Sequence, residues 1–380
     1  MYRNTFVSVN KTVLKENVHN ITEKYGEYKY FFGVIKGDAY GHGFSVIDAL
    51  IEGGVNYLAV ATPDEAEMVR EINADIPLLC LEPVNESVYD FFCENKVTFT
   101  VDSLCGAKNI IAHSFKNKIK VHLKLDTGMN RLGFKKEDEL LEAYSILKEN
   151  ENIEIEGIYT HLATSGVNDI YYDRQMANFK KLTKNIDLNE IPIVHVGRSL
   201  ILVHHSKPDF VNGVRLGICM YGFSGSLSEP TGLRKIKRNF LLKRKGISES
   251  ILSNDLNLKT AFSLYSQVIS VKDVKKGEFV GYGADFVADS DISVATLSIG
   301  YFDGMSKKLK NVIINGEKCE IIGEICMDMT AVRVPSTVKC GDMAEIFGDK
   351  ISIRTAANNL GVNAYRVFTS ISHRVPRIYK

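Results

Sequence analysis

The first two-thirds of the chain repeat one pattern, a short apolar run followed in most cases by a longer stretch of charged, helix-forming residues. Short apolar runs are typical of buried strands, and strands that alternate with helices form parallel β-α units. One helix start is clear, since Thr62 precedes Pro63 as an N-cap and Glu65 occupies the third helical position. The eight apolar runs cover residues 31–35, 57–60, 77–81, 97–101, 120–125, 155–159, 191–196 and 211–215.

Eight strand–helix repeats predict an α/β fold in which the strands close into a (β/α)8 TIM barrel. An open, doubly wound sheet is the alternative for such a repeat. No G-x-G-x-x-G follows the first apolar run, which weakens that alternative.

The pattern changes after about residue 240 into short β-rich runs separated by Gly and Asp turns. This pattern of short strands and turns predicts a separate, mostly antiparallel domain. We therefore expect a barrel over residues 10–240 and a β-rich C-terminal domain over residues 241–380. The first few N-terminal residues are candidates to join the C-terminal domain. The β-rich runs cover residues 261–271, 279–282, 293–299, 312–314, 319–322 and 331–334.

A basic stretch joins the two predicted domains, at residues 234–238 and 243–245. Such a run is able to bind an acidic partner, but a solvated connecting loop is its more common meaning. We predict the loop.

The composition is that of an ordinary globular protein, with 380 residues, 45% hydrophobic and 24% charged. A net charge of +1 gives no electrostatic argument for nucleic acid or an anionic membrane as partner. Neither a membrane-spanning apolar run nor a signal-peptide core is present. The seven scattered cysteines lack metal-site spacing, so we expect reduced thiols, no metal site and a cytoplasmic location.

Polar residues follow the predicted barrel strands, at the rim where barrel enzymes place their chemistry. Lys36 ends the first apolar run, and a lysine amine can form a Schiff base with a carbonyl compound. Any one of these side chains alone would most simply be structural, but several at one rim indicate an active site. They are Lys36 and Tyr40 after the first strand, His122, Lys124 and Asp126 at the fifth, His161 after the sixth, His195, Arg198 and Ser199 at the seventh, and Arg215 at the eighth.

These segments resemble the motifs of bacterial alanine racemases. Residues 34–43 are similar to the pyridoxal-phosphate lysine motif of that family, and residues 123–133 to its second motif. Further similar segments follow in the family's order, at residues 215–218, 282–284, 299–304, 325–328 and 370–377. The resemblance implies a pyridoxal-phosphate barrel (fold type III) followed by a β domain, and a homodimer with its active sites at the interface.

The resemblance also implies roles for individual residues. Lys36 would hold the cofactor and act as one base, and Tyr282 of the partner subunit would act as the base on the opposite face. Arg215 would face the pyridine nitrogen, and His161 would lie beside the tyrosine. The remaining cofactor positions, which are suited to a phosphate, are Tyr40, Ser199, Gly217, Ile218 and Tyr365.

The substrate carboxylate would pair with Arg131, and Tyr301 and Met327 would enter the pocket from the partner subunit. Lys124 matches a lysine that many family members carry as a carbamate. One departure stands near the cofactor, where Arg198 replaces the usual asparagine.

These matches predict racemisation of L- and D-alanine by two bases, supplying D-alanine for peptidoglycan. A serine or broad-specificity racemase is the nearest alternative, because apolar pockets reject one added hydroxyl only weakly. A fold-related decarboxylase is less favoured, since such enzymes usually place an acidic residue where Arg215 stands. A non-catalytic pyridoxal-phosphate-binding protein would have no need of Tyr282.

Overall fold

The computed structural model describes residues 3–164, 169–199, 201–223 and 256–380, together with Ile236 and Phe240. The basic stretch 234–245 lies outside the described residues apart from those two positions, and the side chain of Arg198 also lies outside them.

Eight parallel strands close into a barrel, which confirms the predicted fold class. Closure is made between the first and last barrel strands, where Phe32 pairs with Arg215. Strand β1 (Thr5–Val9) precedes the barrel and belongs to a second sheet. The barrel strands are β2 (Tyr30–Val34), β3 (Tyr57–Val60), β4 (Leu78–Cys80), β5 (Val97–Val101), β6 (Ile119–Leu125), β7 (Ile153–Thr160), β8 (Ile193–Arg198) and β9 (Gly213–Leu216).

Helices cover the outside of the barrel between its strands. The helix start predicted at Thr62 is confirmed, since the Thr62 hydroxyl accepts from the Glu65 N–H and Pro63 is the first helical residue. This helix buries Ala66 and Val69. The α-helices of this part are Lys11–Lys24, Ile47–Glu52, Pro63–Ile72, Tyr89–Glu94, Leu104–Ala112, Glu137–Lys148, Asp169–Leu182 and Ile201–His204, and 3-10 turns cover Phe44–Val46, Glu86–Val88 and Leu188–Glu190.

The C-terminal part forms an eight-stranded, mostly antiparallel sheet and a separate hairpin. Its strands are β10 (Phe262–Val274), β11 (Phe279–Val280), β12 (Phe286–Val287), β13 (Ile292–Leu297), β14 (Asn311–Ile314), β15 (Glu317–Ile321), β16 (Thr330–Val334), β17 (Met343–Phe347) and β18 (Arg377–Tyr379). Strands β11 and β12 form the hairpin, and the sheet has the order β13-β16-β15-β14-β17-β10-β1-β18. Strand β1 pairs antiparallel with β10 and parallel with β18, so the N-terminal strand is part of this sheet.

Two helices after β17, Ile353–Leu360 and Ala364–Thr369, connect the two parts of the molecule. Phe368 on the second helix packs against both Phe262 of β10 and His42 of the barrel. This packing holds the C-terminal part against the segment that follows Lys36. Within the described residues, none of the helices has the length and apolar character needed to cross a membrane.

Candidate active site

A cavity of about 430 Å³ opens at the carboxyl ends of the barrel strands. Most of the predicted cofactor and substrate residues of the barrel border it, although they are far apart in sequence. The predicted residues among its lining are Lys36, Tyr40, Lys124, Arg131, His161, Arg215, Gly217 and Tyr365.

Lys36 starts a left-handed turn, an unusual conformation for L-amino acids. The φ angles of Gly37, Asp38, Ala39 and Tyr40 are 66°, 54°, 51° and 55°. Left-handed helical geometry costs about 1–2 kcal/mol for each residue with a side chain, so the turn needs support from its surroundings.

Glu65 supplies part of that support. One carboxylate oxygen accepts from the Gly37 N–H at 2.6 Å, and the other accepts from the Ala61 N–H at 2.7 Å. Glu65 therefore joins the lysine turn to the end of β3. From the sequence we predicted Glu65 only as the third residue of a helix, and no pattern predicted its contact with Gly37.

His42 supports the same turn from inside the protein. Its Nδ1 lies 3.0 Å from the Ala39 carbonyl and 3.2 Å from the Tyr40 carbonyl, and the ring is fully buried. Burial lowers the pKa of His42 to about 3, so the ring is neutral at neutral pH and Nδ1–H is the donor.

The Gly217 N–H and the hydroxyls of Tyr40 and Ser199 surround a small open space beside Gly217, which has no side chain to fill it. The Gly217 N–H donates to the Ser199 hydroxyl at 2.9 Å. A Cβ on Gly217 would lie 3.1 Å from the Tyr40 hydroxyl and 3.8 Å from the Ser199 hydroxyl. The Tyr365 ring lies 5.7 Å from that of Tyr40. Ile218 follows Gly217 and buries its side chain in the core. Hydroxyls and an N–H around an open space suit a phosphate group.

Arg215 lies under the cavity in the barrel interior and is 2% exposed. Its guanidinium donates to His195 Nδ1 at 2.8 Å and to the Thr160 carbonyl at 2.6 Å. Its Cζ lies 5.2 Å from the centre of the Tyr159 ring. A guanidinium donates hydrogen bonds only, so this position can offer an N–H but cannot accept a proton.

Lys124 is also buried, with its Nζ 3.5 Å from the Leu81 carbonyl. Burial, together with the nearby Arg131 and Arg215 charges, lowers the pKa of Lys124 to about 8. The loop that carries Arg131 is shaped by Asp126, which accepts from the N–H groups of Gly128 and Asn130.

His161 borders the cavity at the end of β7, and Gln175 holds its backbone. The Gln175 amide donates to the His161 carbonyl and to the Thr127 hydroxyl, both at 3.0 Å, and accepts from the Ala163 N–H at 2.9 Å. Gln175 thus ties the loops after β6 and β7 together. No pattern in the sequence distinguished this helical glutamine.

Tyr282, Tyr301 and Met327 do not line the cavity described above. They lie on loops of the C-terminal part and are 72%, 53% and 51% exposed. Backbone hydrogen bonds from Tyr301 to Cys326 and from Phe302 to Met327 hold two of these loops together. Large exposed apolar residues of this kind are typical of a surface that another chain covers.

Comparison with known proteins agrees with this architecture. Residues 9–225 match the family described as "Alanine racemase, N-terminal domain", and residues 261–379 match "Alanine racemase, C-terminal domain". Alanine racemase 1 of Bacillus subtilis is 33% identical over 100% of this chain and 93% of its own length, and alanine racemase of Methanococcus maripaludis is 34% identical over 98% of each.

The crystal structure of alanine racemase from E. faecalis superposes with a TM-score of 0.88 at 28% identity, covering 100% of this chain and 99% of that one. These similarities define the class of protein as an amino-acid racemase, which is an isomerase. The chain belongs to the alanine racemase family, and racemisation of alanine is the activity that this membership supports. The family depends on pyridoxal phosphate.

Proposed function

We propose that this chain interconverts L- and D-alanine with pyridoxal 5'-phosphate held at Lys36, as a homodimer in which Tyr282 of the partner subunit faces Lys36. The observation that carries the proposal is the placement of Lys36 and the Gly217 cradle at one cavity. In this proposal the D-alanine serves peptidoglycan synthesis, and the enzyme works in the cytoplasm.

The residues present fit the cofactor. Ser199, Tyr40 and the Gly217 N–H would hold its phosphate, with Tyr365 beside Tyr40 and the backbone of Ile218 following Gly217. Pyridoxal phosphate, when bound, supplies an electron sink that acidifies the Cα–H bond of an attached amino acid.

Arg215 would limit how strong that electron sink becomes. Because a guanidinium keeps its protons, Arg215 would donate to the ring nitrogen without protonating it. A weaker electron sink would favour prompt return of a proton to Cα over transamination or decarboxylation. The buried bonds to His195 and Thr160 hold the guanidinium that would make this contact.

Racemisation needs a base on each face of Cα, because a single base tends to return the proton to the side that it left. The Lys36 amine would act on one face and the Tyr282 phenol of the partner subunit on the other. His161, whose backbone Gln175 fixes, would polarise that phenol. Tyr301 and Met327 of the partner subunit would narrow the pocket toward a methyl side chain.

Arg131 would bind the substrate carboxylate through its planar guanidinium. We propose that Lys124 reacts with CO2, with its neutral amine forming an N–C bond and releasing one proton, to give a carbamate beside Arg131. The lowered pKa of Lys124, about 8, makes the reactive neutral amine available. The Arg131 and Arg215 charges that oppose a protonated amine would stabilise the carbamate anion.

The decisive experiment incubates the purified protein and pyridoxal phosphate with L-alanine in deuterated water. We expect loss of optical activity with deuterium at Cα. Tyr282→Phe should lower the rate by at least about a hundredfold, the usual size of a general-base effect, while cofactor binding persists. Bound cofactor without exchange in alanine or serine would refute the racemase, and full activity of Y282F would refute the second base. Faster exchange in serine than in alanine would instead favour the serine-racemase alternative.

A further inference from the structure

Below Arg215 the barrel interior contains a continuous chain of hydrogen bonds. Arg215 contacts His195 Nδ1 at 2.8 Å, His195 Nε2 lies 3.0 Å from His122 Nδ1, and His122 Nε2 lies 3.1 Å from a Glu156 oxygen. The chain runs from the active-site side of the barrel towards its opposite end. There Glu156 and Lys120 border a second cavity, of about 480 Å³.

The two ends of this chain determine its direction. A guanidinium only donates and a carboxylate only accepts. His195 Nδ1 must therefore accept from Arg215, which leaves Nε2–H to donate to His122 Nδ1. His122 in turn carries its proton on Nε2 and donates to Glu156. Burial lowers the pKa of both imidazoles, which favours the neutral rings that this order of donors and acceptors requires.

Glu156 is held as an anion by its other partners. Burial alone would raise the pKa of Glu156, but hydrogen bonds from His122, Lys120 and Tyr57 hold it below its usual value. An acceptor is therefore always present at this end of the chain.

Packing holds both rings in the orientations that the chain requires. His195 is sandwiched between Phe32 and Tyr159, with ring centres 4.4 and 4.6 Å away. A Cβ on residue 157 would come within 2.5 Å of the His122 ring, so only glycine leaves room for that imidazole.

We propose that Glu156 is a positioning residue for the arginine that faces the cofactor ring, acting through the proton positions of His122 and His195. Without an acceptor at residue 156, His122 has no partner for an Nε2 proton. If His122 moves its proton to Nδ1, His195 Nε2 must accept and its own proton must move to Nδ1. That proton would meet the Arg215 donor, and the Arg215–His195 bond would be lost.

The proton positions can be measured in the cofactor-free protein by 15N NMR of labelled imidazoles. We expect Nε2–H for both rings in the wild type. Glu156→Leu should change the His195 pattern, although Glu156 does not contact His195. Lys120→Met, which removes another partner of the same carboxylate, should leave it unchanged. A wild-type His195 protonated at Nδ1, or an unaltered His195 in folded E156L, would overturn the proposal.

A second variant covers the case in which E156L does not fold. Glu156→Gln keeps an acceptor for His122 but removes the charge, so the imidazole pattern should persist. The link to Arg215 rests on the proposed function. It predicts that kcat of E156L falls at least about tenfold with KM within about twofold, because loss of the Arg215–His195 bond alters the ring electronics and not substrate binding. The conservative E156Q, which keeps the imidazole pattern, should restore most of that loss.

A wild-type kcat in E156L would remove the catalytic part of the proposal, and an altered imidazole pattern in E156Q would contradict the role given to the acceptor at residue 156. A protein with the expected imidazole pattern but no racemisation would refute the proposed function and leave the hydrogen-bonded chain intact.

Discussion

Glu65 should determine whether the lysine turn keeps its left-handed conformation. The turn places three residues with side chains, Asp38, Ala39 and Tyr40, at positive φ. At about 1–2 kcal/mol each, this geometry costs roughly 3–6 kcal/mol. Glu65 opposes that cost with two hydrogen bonds to backbone N–H groups, each worth about 1.5–3 kcal/mol when a charged group takes part.

Glu65→Gln keeps the size of the side chain but turns one acceptor into a donor, which would face the Gly37 or Ala61 N–H. The Gly37 bond is exposed to solvent, so we take the lower end of the range and expect a loss of about 1.5–2 kcal/mol. Because each 1.4 kcal/mol changes an equilibrium tenfold, local opening of the turn should become roughly 10- to 30-fold more frequent.

Amide hydrogen exchange measures this opening directly. Gly41 and Gly43 donate within the turn, to the carbonyls of Gly37 and Asp38, and both amides should exchange faster in E65Q. Glu67→Gln is the matched control, since Glu67 is exposed on the same helix. Unchanged protection of Gly41 and Gly43 in a folded E65Q would show that the turn does not depend on Glu65.

Three further predictions concern the other parts of the site. In CO2-free buffer, the pKa of Lys124 is about 8 in the folded protein, against an ordinary value of 10.5 for the unfolded chain. Between these two pH values the unfolded chain binds more protons than the folded one, so the thermal stability of the cofactor-free protein should rise from pH 8 to pH 10. This rise should be absent from Lys124→Met, and an equal rise in both would contradict the assignment. Gly217→Ala should weaken pyridoxal-phosphate binding at least about tenfold by fluorescence titration, since an added methyl intrudes on the cradle and costs about 1–3 kcal/mol. In the control Gly26→Ala the nearest atom would lie 3.7 Å from the added Cβ, so this variant should bind pyridoxal phosphate normally. Tight cofactor binding by G217A would place the phosphate elsewhere. Specific racemase activity should fall on dilution while the cofactor remains attached at Lys36, and activity that sediments with monomers would argue against a shared site.

The barrel was predictable because its strands are buried on both faces and therefore read as continuous apolar runs. Strand β17 (Met343–Phe347) was missed because a buried glutamate interrupts its pattern. Glu345 is only 8% exposed and accepts from the N–H groups of Lys350 and Ile351. Strand β18 (Arg377–Tyr379) has three residues, too few for a period to be recognised.

Some residues of the candidate site could likewise be predicted from the sequence, and others could not. Lys36 and Arg215 were predictable because they end strands, and strand ends of a barrel share one rim. Glu65 and Gln175 were not, because both act on the backbone of a segment far away in sequence. A hydrogen bond to a main-chain N–H or carbonyl leaves no residue-type pattern at the position that it supports.

Close backbone packing preorganises the exposed loops of the C-terminal part. Gly300 is needed where two of these loops meet, since a Cβ there would come within 2.2 Å of the Met327 carbonyl. The close approach keeps Tyr301 and Met327 side by side although both are about half exposed. A preformed surface loses less conformational entropy on association than a flexible one. In the proposed homodimer, the loops of the partner subunit would therefore complete the pocket over Lys36 without rearranging, and the geometry that racemisation needs would be built into each chain before the two meet.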